Sequence, residues 1–489
     1  MLICTGFGSR IAAESGFLRN HTEVMLMTYK AIGGVHPNDK KAPANKAAIT
    51  AAAAPPQVVI PMSLHIGAPC QPTVSAGDTV KLGQKIGDSA AAVSAPIHAS
   101  VSGKVIAVEP RLHSNGTTVN SVVIENDGLD TPDETMKPHT TEELSDPEAI
   151  VGIIREAGIV GMGGATFPTA FKITSGKGKV DTVIINGAEC EPYITSDHRT
   201  MLEYPEKVLG GIKLIMRACG VEKATLAVED NKADAIELLK SFDPGADGIE
   251  IVSMHTRYPQ GAEKQLIYTV TGKQVPPGGL PAGVGCAVFN IFTAYSVFRA
   301  ACEGRPAIER VVTVSGSAIK EPKNIIVRVG TPVEFVFEQA GGFVKQPKKI
   351  LMGGPMMGNA MYDLSVGTTK GTNALLAFCE DEDRTVSNPV CIRCGKCATV
   401  CPMKLLPVYM YMCERKTDFD GMGRYRLMDC VECGACTYNC PGKLHLTHSF
   451  RTGKAKIGAK QAEEKARLEA EKAKAQQASA DGPAAKEGK

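Results

Sequence analysis

Hydrophobic spacing along this chain changes period several times, and each change marks a different kind of element. From Val58 to Glu125, short Val/Ile-rich runs alternate with glycine turns, which predicts small β units. Between residues 146 and 254, helical and strand periods alternate. Asp146-Pro147 supplies an N-cap and a first-turn proline for a helix to about Glu156, and Val180–Ile185 reads as a buried strand. Pro205–Cys219 sets Val208, Ile212, Ile215 and Cys219 on one helical face ahead of a Gly220 stop. Thr225–Val228 predicts a strand, Asn231 the cap of a helix to Lys240, and Ile249–Met254 a further strand. Such alternation predicts an α/β layered domain with parallel strands. Strands at Val311–Val314 and Ile325–Val329, with a short helix from Thr331-Pro332 to Gly341-Gly342, suit a β-grasp module. From about Gly453 the chain is rich in Ala, Lys, Glu and Gln, so a solvated helix or unfolded chain is expected.

Length turns these patterns into boundaries. A chain of 489 residues is too long for one core and predicts three or four domains. The expected division is an extension over 1–27, a β domain over 28–128, a polar linker over 129–146, the α/β domain over 147–308, the β-grasp module over 309–365, a helical cysteine-rich domain over 380–452 and a charged tail over 453–489. The first residues carry no pattern, so a start at Met25 or Met27 is expected. A net charge of +2 sets aside nucleic-acid binding. No run approaches the roughly 18–20 apolar residues of a membrane span, and no signal-peptide core is visible, so a cytoplasmic protein is expected.

Half of the sixteen cysteines fall in two runs. Cys391, Cys394, Cys397 and Cys401, followed by Pro402, repeat as Cys430, Cys433, Cys436 and Cys440, followed by Pro441. This is the doubled C-x2-C-x2-C-x3-C-P spacing, in which three close cysteines wrap one face of a [4Fe–4S] cubane and the fourth reaches the other cluster. One cluster is therefore assigned to Cys391, Cys394, Cys397 and Cys440, and the other to Cys430, Cys433, Cys436 and Cys401. A pair of zinc sites would also take thiolates, but eight cysteines at this spacing, with Gly395 and Gly434 letting backbone amides approach sulfur, fit cubanes better. Cys219 and Cys302 lie in apolar surroundings and are expected to be inert core residues.

A second chemistry lies upstream. Gly161, Gly163, Gly164 and Ala165 form a glycine-rich loop that runs through Phe167 into a helix at Pro168, aiming amides at an anion such as a flavin phosphate. It is not the dinucleotide fingerprint, because Thr166 stands in the third glycine's place. Asn186, Glu189 and Glu191 follow one strand, and Gly261 and Glu263 follow another, where ligands of open α/β sheets bind. Taken singly, each glutamate could equally be a solvated loop charge.

These segments support a resemblance. Gly161 to Lys172, Asn186 to Pro192 and Gly261 to Glu263 look like the FMN- and NADH-binding segments of the flavin subunit of respiratory complex I. The halves from Val74 to Gly87 and from Ile97 to Val105 resemble the biotinyl/lipoyl-type barrel-sandwich fold, with Ser89-Ala-Ala-Ala where those carriers place a modifiable lysine. That leaves a structural or docking role. With Gly33-Gly34-Val35-His36-Pro37, Pro276 to Pro281 and Gly353 to Gly358, the chain from about residue 28 to 452 most closely resembles the RnfC family, a component of the Rnf complexes, the ion-translocating ferredoxin:NAD oxidoreductases.

The resemblance implies a multidomain α/β protein: a barrel-sandwich hybrid β domain, a complex I flavin-subunit-like α/β domain, a β-grasp (SLBB-like) module and a helical two-cluster ferredoxin-like domain. It places FMN near Gly161, Gly163, Gly164, Asn186 and Asn290, and NAD(H) near Phe167, Lys172, Glu191 and Glu263. Ala165, Glu189 and Gly261 are counted with the cofactor-binding set, and Glu263 and Lys172 as the catalytic pair. Implied partners are the other Rnf subunits, both the membrane components and the ferredoxin-like RnfB component, with NADH/NAD and, indirectly, ferredoxin. The implied location is peripheral, on the cytoplasmic face of the cell inner membrane. Ala188, Ala262 and Phe289 depart from the complex I pattern, which motivates an alternative, a non-catalytic electron-wiring scaffold. A second alternative is the soluble cobalamin reductase of bacterial microcompartments, which shares flavin domain and clusters.

Overall fold

Val58, Ile60, Val122 and Ile124 are buried on facing strands, and that pairing starts the first β module. In the computed structural model, which describes residues 31–243, 245, 247–380 and 386–480, Gln57–Pro61, Thr118–Asn126, Gly103–Leu112 and Thr79–Val80 form one sheet, and Gln71–Pro72, Lys85–Asp88 and Ile97–His98 a second. Their side chains interdigitate around Ile86, Ile97 and Val105 as a barrel-sandwich hybrid. The extension over 1–27 and the candidate starts Met25 and Met27 lie outside the described residues. The chain divides into two units, 1–385 and 386–489.

The α/β domain follows in the first unit. Its helices are α1 (Pro147–Glu156), α2 (Thr169–Gly176), α3 (Ser196–Glu203), α4 (Pro205–Cys219), α5 (Ala233–Phe242), α6 (Glu263–Thr271) and α7 (Ile291–Glu303). Asp146 caps α1 by accepting from the Glu148 amide, and Gly220 ends α4 at φ 68°, as the sequence predicts. Asn231 is not the cap expected of it: residues Asp230–Lys232 form a 3-10 turn, and the Asn231 amide oxygen accepts from Lys232 Nζ at 2.8 Å.

Four parallel strands stand in the order Ile249–Met254, Ala224–Glu229, Thr182–Gly187, Cys286–Asn290. Alternation along each strand feeds two cores. Val183, Ile185, Leu226, Val228 and Phe289 pack against the layer containing α4 and α7, and Ile184, Ala227 and Val288 against α6. Because Thr182–Gly187 comes first in the chain yet lies inside the sheet, the order reverses between it and Cys286–Asn290. That is a topological switch point, with a crevice at the strands' carboxyl ends.

The β-grasp module extends beyond the expected 309–365. Its sheet runs Thr50–Ala51, Lys323–Arg328, Glu309–Ser315, Ala374–Phe378, Lys349–Met352, Asn359–Met361, so a segment ahead of the barrel supplies one edge and the chain up to Phe378 a central strand. Pairing demands the central strand, since without the fully buried Ala374–Leu376 the residues Thr313–Ser315 would have no neighbour on that side.

In the second unit, short helices Lys396–Thr399 and Ala435–Tyr438 carry the two cysteine runs. The tail expected from Gly453 is not a separate segment: it continues a helix over Leu446–Ala480 whose first turns bury Leu446 and Phe450 beside Met410, Met422 and Leu427.

The α4–α7 contact gives a direct test of packing. A Cβ on Gly211 would stand 1.8 Å from the Ala294 carbonyl oxygen, whereas one on Gly152 of α1 would meet nothing within 4 Å. Gly211→Ala should therefore destabilise by about 1–3 kcal/mol, and Gly152→Ala should stabilise by about 0.5–1 kcal/mol. Thermal unfolding followed by circular dichroism checks both, and equal midpoints for the two variants would contradict the packing.

Candidate functional site

The switch point brings the sequence-predicted residues of the α/β domain to one place. Asn186 and Asn290 are register partners at the ends of neighbouring strands. Beside Asn290 lies the glycine loop: a Cβ on Gly163 would come within 3.3 Å of Asn290 Cβ, and Met162 N donates to Thr293 Oγ1 at 2.9 Å. Beside Asn186 lies Gly261, whose carbonyl accepts from Asn186 Nδ2 at 2.8 Å. The loop closes on itself through Gly161 N to Phe167 O and Thr166 N to Gly161 O, leaving Gly163, Gly164 and Ala165 exposed, with Gly164 at φ 109°. Amides and small residues thus face an open crevice, a cradle that side chains would fill. Phe167, half-buried, meets Phe171 edge-on at 5.9 Å.

Lys172 and Glu263 form an ion pair, with Nζ 3.0 Å from Oε1. Lys172 also donates to Val288 O at 2.9 Å and sits 5.7 Å from the Phe289 ring. The pair is partly exposed, with Lys172 on the helix that leaves the glycine loop and Glu263 at the start of α6.

The expected polar ligands, by contrast, are largely committed within the protein. Asn290 caps α7, accepting from Phe292 N at 2.9 Å, and donates to Asp197 Oδ2 at 2.6 Å. Asn186 Oδ1 accepts from Ala188 N at 3.2 Å. The Glu189 carboxylate turns inward to the start of α3, accepting from Asp197 N at 2.6 Å, with Lys41 Nζ 3.7 Å away. Burial raises the Glu189 carboxyl to about 7 against the pull of Lys41, and burial likewise raises Glu191 to about 7. Glu191 lies under the β-grasp module: Met356 N donates to its Oε2 at 3.0 Å, a Cβ on Gly354 would stand 2.3 Å from it, and its Oε1 is buried without a hydrogen bond. The side chains of Asn186, Glu189, Glu191 and Asn290 therefore shape the crevice more than they line it.

Sequence reasoning missed the groups beneath these loops. Arg310, fully buried, donates to Met162 O at 2.9 Å, stacks 4.0 Å over the Phe292 ring and stands 3.9 Å from Asp197. Burial lowers its guanidinium to about 10. Lys41 and Lys232 reach the loop after Gly187 from distant segments. No local motif marks any of them, because their partners are remote in sequence.

In the second unit the cysteine runs share one backbone design. Arg393, Gly395 and Lys404 have positive φ, and so do Glu432, Gly434 and Lys443 at the equivalent places. Amides point at sulfur: Arg393 N to Cys391 Sγ at 3.4 Å, Glu432 N to Cys430 Sγ at 3.3 Å, Leu405 N to Cys401 Sγ at 3.3 Å. Cys401, Cys430, Cys433 and Cys436 together line a cavity whose other walls include Leu405, Met410 and Phe450. An all-thiolate set with amide donors and apolar walls fits a cubane. Cys391 and Cys394 are exposed, whereas Cys433, Cys436 and Cys440 are buried.

A glycine-lined switch point in one unit and a paired cysteine cavity in the other define a flavin-linked iron–sulfur electron carrier. Family models match in that order: the RnfC barrel sandwich hybrid domain over residues 29–129, the Nuo51 FMN-binding domain over 154–299, the SLBB domain over 311–360 and the 4Fe-4S dicluster domain over 385–441. The chain is 48% identical over 87% of its length, and 96% of the relative's, to the C component of the Na(+)-translocating ferredoxin:NAD(+) oxidoreductase complex of Acetobacterium woodii. It is 46% identical over 83% of its length, and 88% of the relative's, to the proton-translocating counterpart of Clostridium ljungdahlii. A solved NAD+-reducing [NiFe]-hydrogenase chain is 21% identical, with TM-score 0.45, over 64% of this chain and 63% of that one. The chain belongs to the RnfC family of the ion-translocating ferredoxin:NAD oxidoreductase (Rnf) complexes. Its cofactors are FMN and two [4Fe–4S] clusters. Among the described residues, no helix is long and apolar enough to cross a membrane.

Glu191 offers a pH test. Between its ordinary value of 4.5 and about 7, the folded chain keeps a proton that the unfolded chain has released, so this group's contribution to stability is lost as pH rises through that window. Glu191→Gln cannot ionise. From about pH 5 to about pH 8, wild type should lose about 1–3 kcal/mol relative to the variant. Denaturant unfolding at both pH values measures this, and parallel curves would contradict it. Cys401→Ala should damage the cluster of Cys430, Cys433 and Cys436 more than that of Cys391, Cys394 and Cys397. Electron paramagnetic resonance of the reduced variant separates the two outcomes.

Proposed function

We propose that the switch-point crevice of this protein binds FMN along Gly161, Gly163, Gly164 and Ala165, with NAD(H) on the side of Phe167, Lys172 and Glu263. The carrying observation is the convergence of Gly163, Asn290, Asn186 and Gly261 at paired strand ends, with the Lys172–Glu263 ion pair beside them. FMN, when bound, takes up two electrons together and releases them singly. The chain's own residues supply position. Glycine-loop amides and the open backbone at Gly164 admit a flavin phosphate, and Asn290 fixes the start of α7 behind it. Glu263, at the N-terminus of α6, offers a carboxylate to ribose hydroxyls while Lys172 holds it in place.

Of the three departures, Ala188 and Phe289 fall on buried positions within the cores on either side of the sheet and remove no exposed ligand, while Ala262 is half-buried at the N-cap of α6, beside the retained Glu263. That supports an active flavin site over the scaffold reading. The dicluster domain would pass single electrons between this site and the other Rnf components, those in the membrane and the ferredoxin-like RnfB among them, with ferredoxin reached indirectly. Ion movement belongs to the membrane partners, with this chain peripheral on the cytoplasmic face.

Gly164→Val, strained at φ 109° and projecting into the crevice, should abolish FMN retention and NADH-dependent ferricyanide reduction while iron stays normal. Glu263→Gln should retain FMN and lower kcat/KM for NADH by about tenfold. Flavin fluorescence after denaturation, paired with dye reduction, reads both; normal FMN and normal turnover in Gly164→Val would move the site elsewhere.

A further inference from the structure

Beyond Gly187 the chain leaves its strand and turns through residues 188–194 before α3 begins, with Glu189 and Tyr193 at positive φ. Its carbonyls lie beyond the reach of the sheet ladder. Two buried lysines collect them. Lys41 Nζ donates to Glu189 O at 2.8 Å, to Glu191 O at 3.1 Å and to Ile194 O, and Lys232 Nζ donates to Ala188 O at 2.7 Å. The two residues are 5% and 1% exposed, and each has a carboxylate close by, Glu189 for Lys41 and Glu229 for Lys232.

Lys41 comes from outside the FMN-binding domain match, which begins at residue 154. It belongs to a segment that crosses the α/β domain ahead of the barrel. Val35 pairs with Tyr258, Tyr193 N donates to Asp39 O at 2.7 Å, and Ile49 N donates to Glu203 Oε1 at 2.8 Å. Charge-assisted bonds to three carbonyls of one loop fix it more firmly than neutral bonds would, and an ammonium withdrawn from a buried site leaves all three unsatisfied.

We propose that Lys41 is a positioning residue for the flavin site: its buried ammonium holds the 188–194 loop, and with it Asn186 and Gly261, in the shape that accepts FMN. This rests on the reading of the switch-point crevice as the FMN site. Lys41 acts through the loop, since its ammonium is spent on the backbone carbonyls of Glu189, Glu191 and Ile194. The contacts that transmit its effect are the Asn186 bonds to Ala188 N and Gly261 O.

The test uses full-length protein with reconstituted clusters, stripped of flavin and titrated with FMN by fluorescence quenching, with iron content and thermal midpoint recorded beside each Kd. Lys41→Met should fold with normal iron and bind FMN about tenfold more weakly, and Lys41→Arg, which keeps donors, should recover part of the loss. A rise in Kd of about fivefold or more in folded Lys41→Met supports the proposal, and a smaller rise, even with a lowered thermal midpoint, overturns it, since a purely structural lysine changes stability without changing the affinity of the folded fraction. If Lys41→Met does not accumulate, Lys41→Gln is judged by the same criterion. Gly164→Val in the same titration separates the two ideas: if it binds FMN like wild type, the site reading fails, independently of Lys41.

Discussion

A parallel strand that ends at a ligand crevice must turn away from its neighbours while its backbone polar groups are still buried, and water is not there to satisfy them. Here Thr182–Gly187 ends at that crevice, and the turn is held by Lys41 and Lys232 with Glu189 and Glu229 balancing their charge. Burial works against every one of the charges in this group that shifts: the ammonium of Lys41 is pushed down, and the carboxyls of Glu189 and Glu229 up. The network survives because each member has a partner, and removing any one would strand another. The shape of the crevice follows, because Asn186, tied to both Ala188 N and Gly261 O, couples this turn to the one before α6.

The same crevice is assembled from modules that look independent along the chain. Ile66 of the barrel donates its amide to Thr166 O in the glycine loop. Gly371, in the β-grasp module, lies so close to Thr166 that a Cβ there would come within 2.6 Å of its Cγ2, and Met356 covers Glu191. Arg310, on a β-grasp strand, holds Met162 O from below. The geometry of the crevice proposed for FMN is thus a property of the whole first unit, and substitutions in the barrel or β-grasp module can act on it from a distance.

In the second unit, duplication of sequence gives duplication of backbone but not of environment. Both runs use left-handed residues at equivalent places to turn amides toward sulfur, yet Cys391 and Cys394 are exposed while Cys433 and Cys436 are buried. Exposure and hydrogen bonding to sulfur are the levers that set cluster potential, so two sites with the same ligands need not share one potential.

The sequence alone determined whatever is carried by short-range spacing. Cysteine runs, strand and helix periods, the Asp146 cap, the Gly220 stop and the glycine loop are local signals, each readable from neighbours within a few residues, and with the resemblance they identified the cofactors and the four domain types. Module edges were less legible, because the strand at Ala374–Phe378 and the edge at Thr50–Ala51 are fixed by pairing with distant partners. What only the tertiary structure decided is the direction in which polar side chains point. Asn186, Glu189 and Glu191 read as ligands from their position after a strand, and Asn290 from the resemblance, but the hydrogen bonds they make to Gly261, α3, Met356 and Asp197 are set by the fold. Lys41 carries no signal at all in its own segment, since the carbonyls it serves lie some 150 residues away and are brought to it by the fold. A buried polar group is satisfied by whichever partner is nearest in space, and spacing along the chain does not record that.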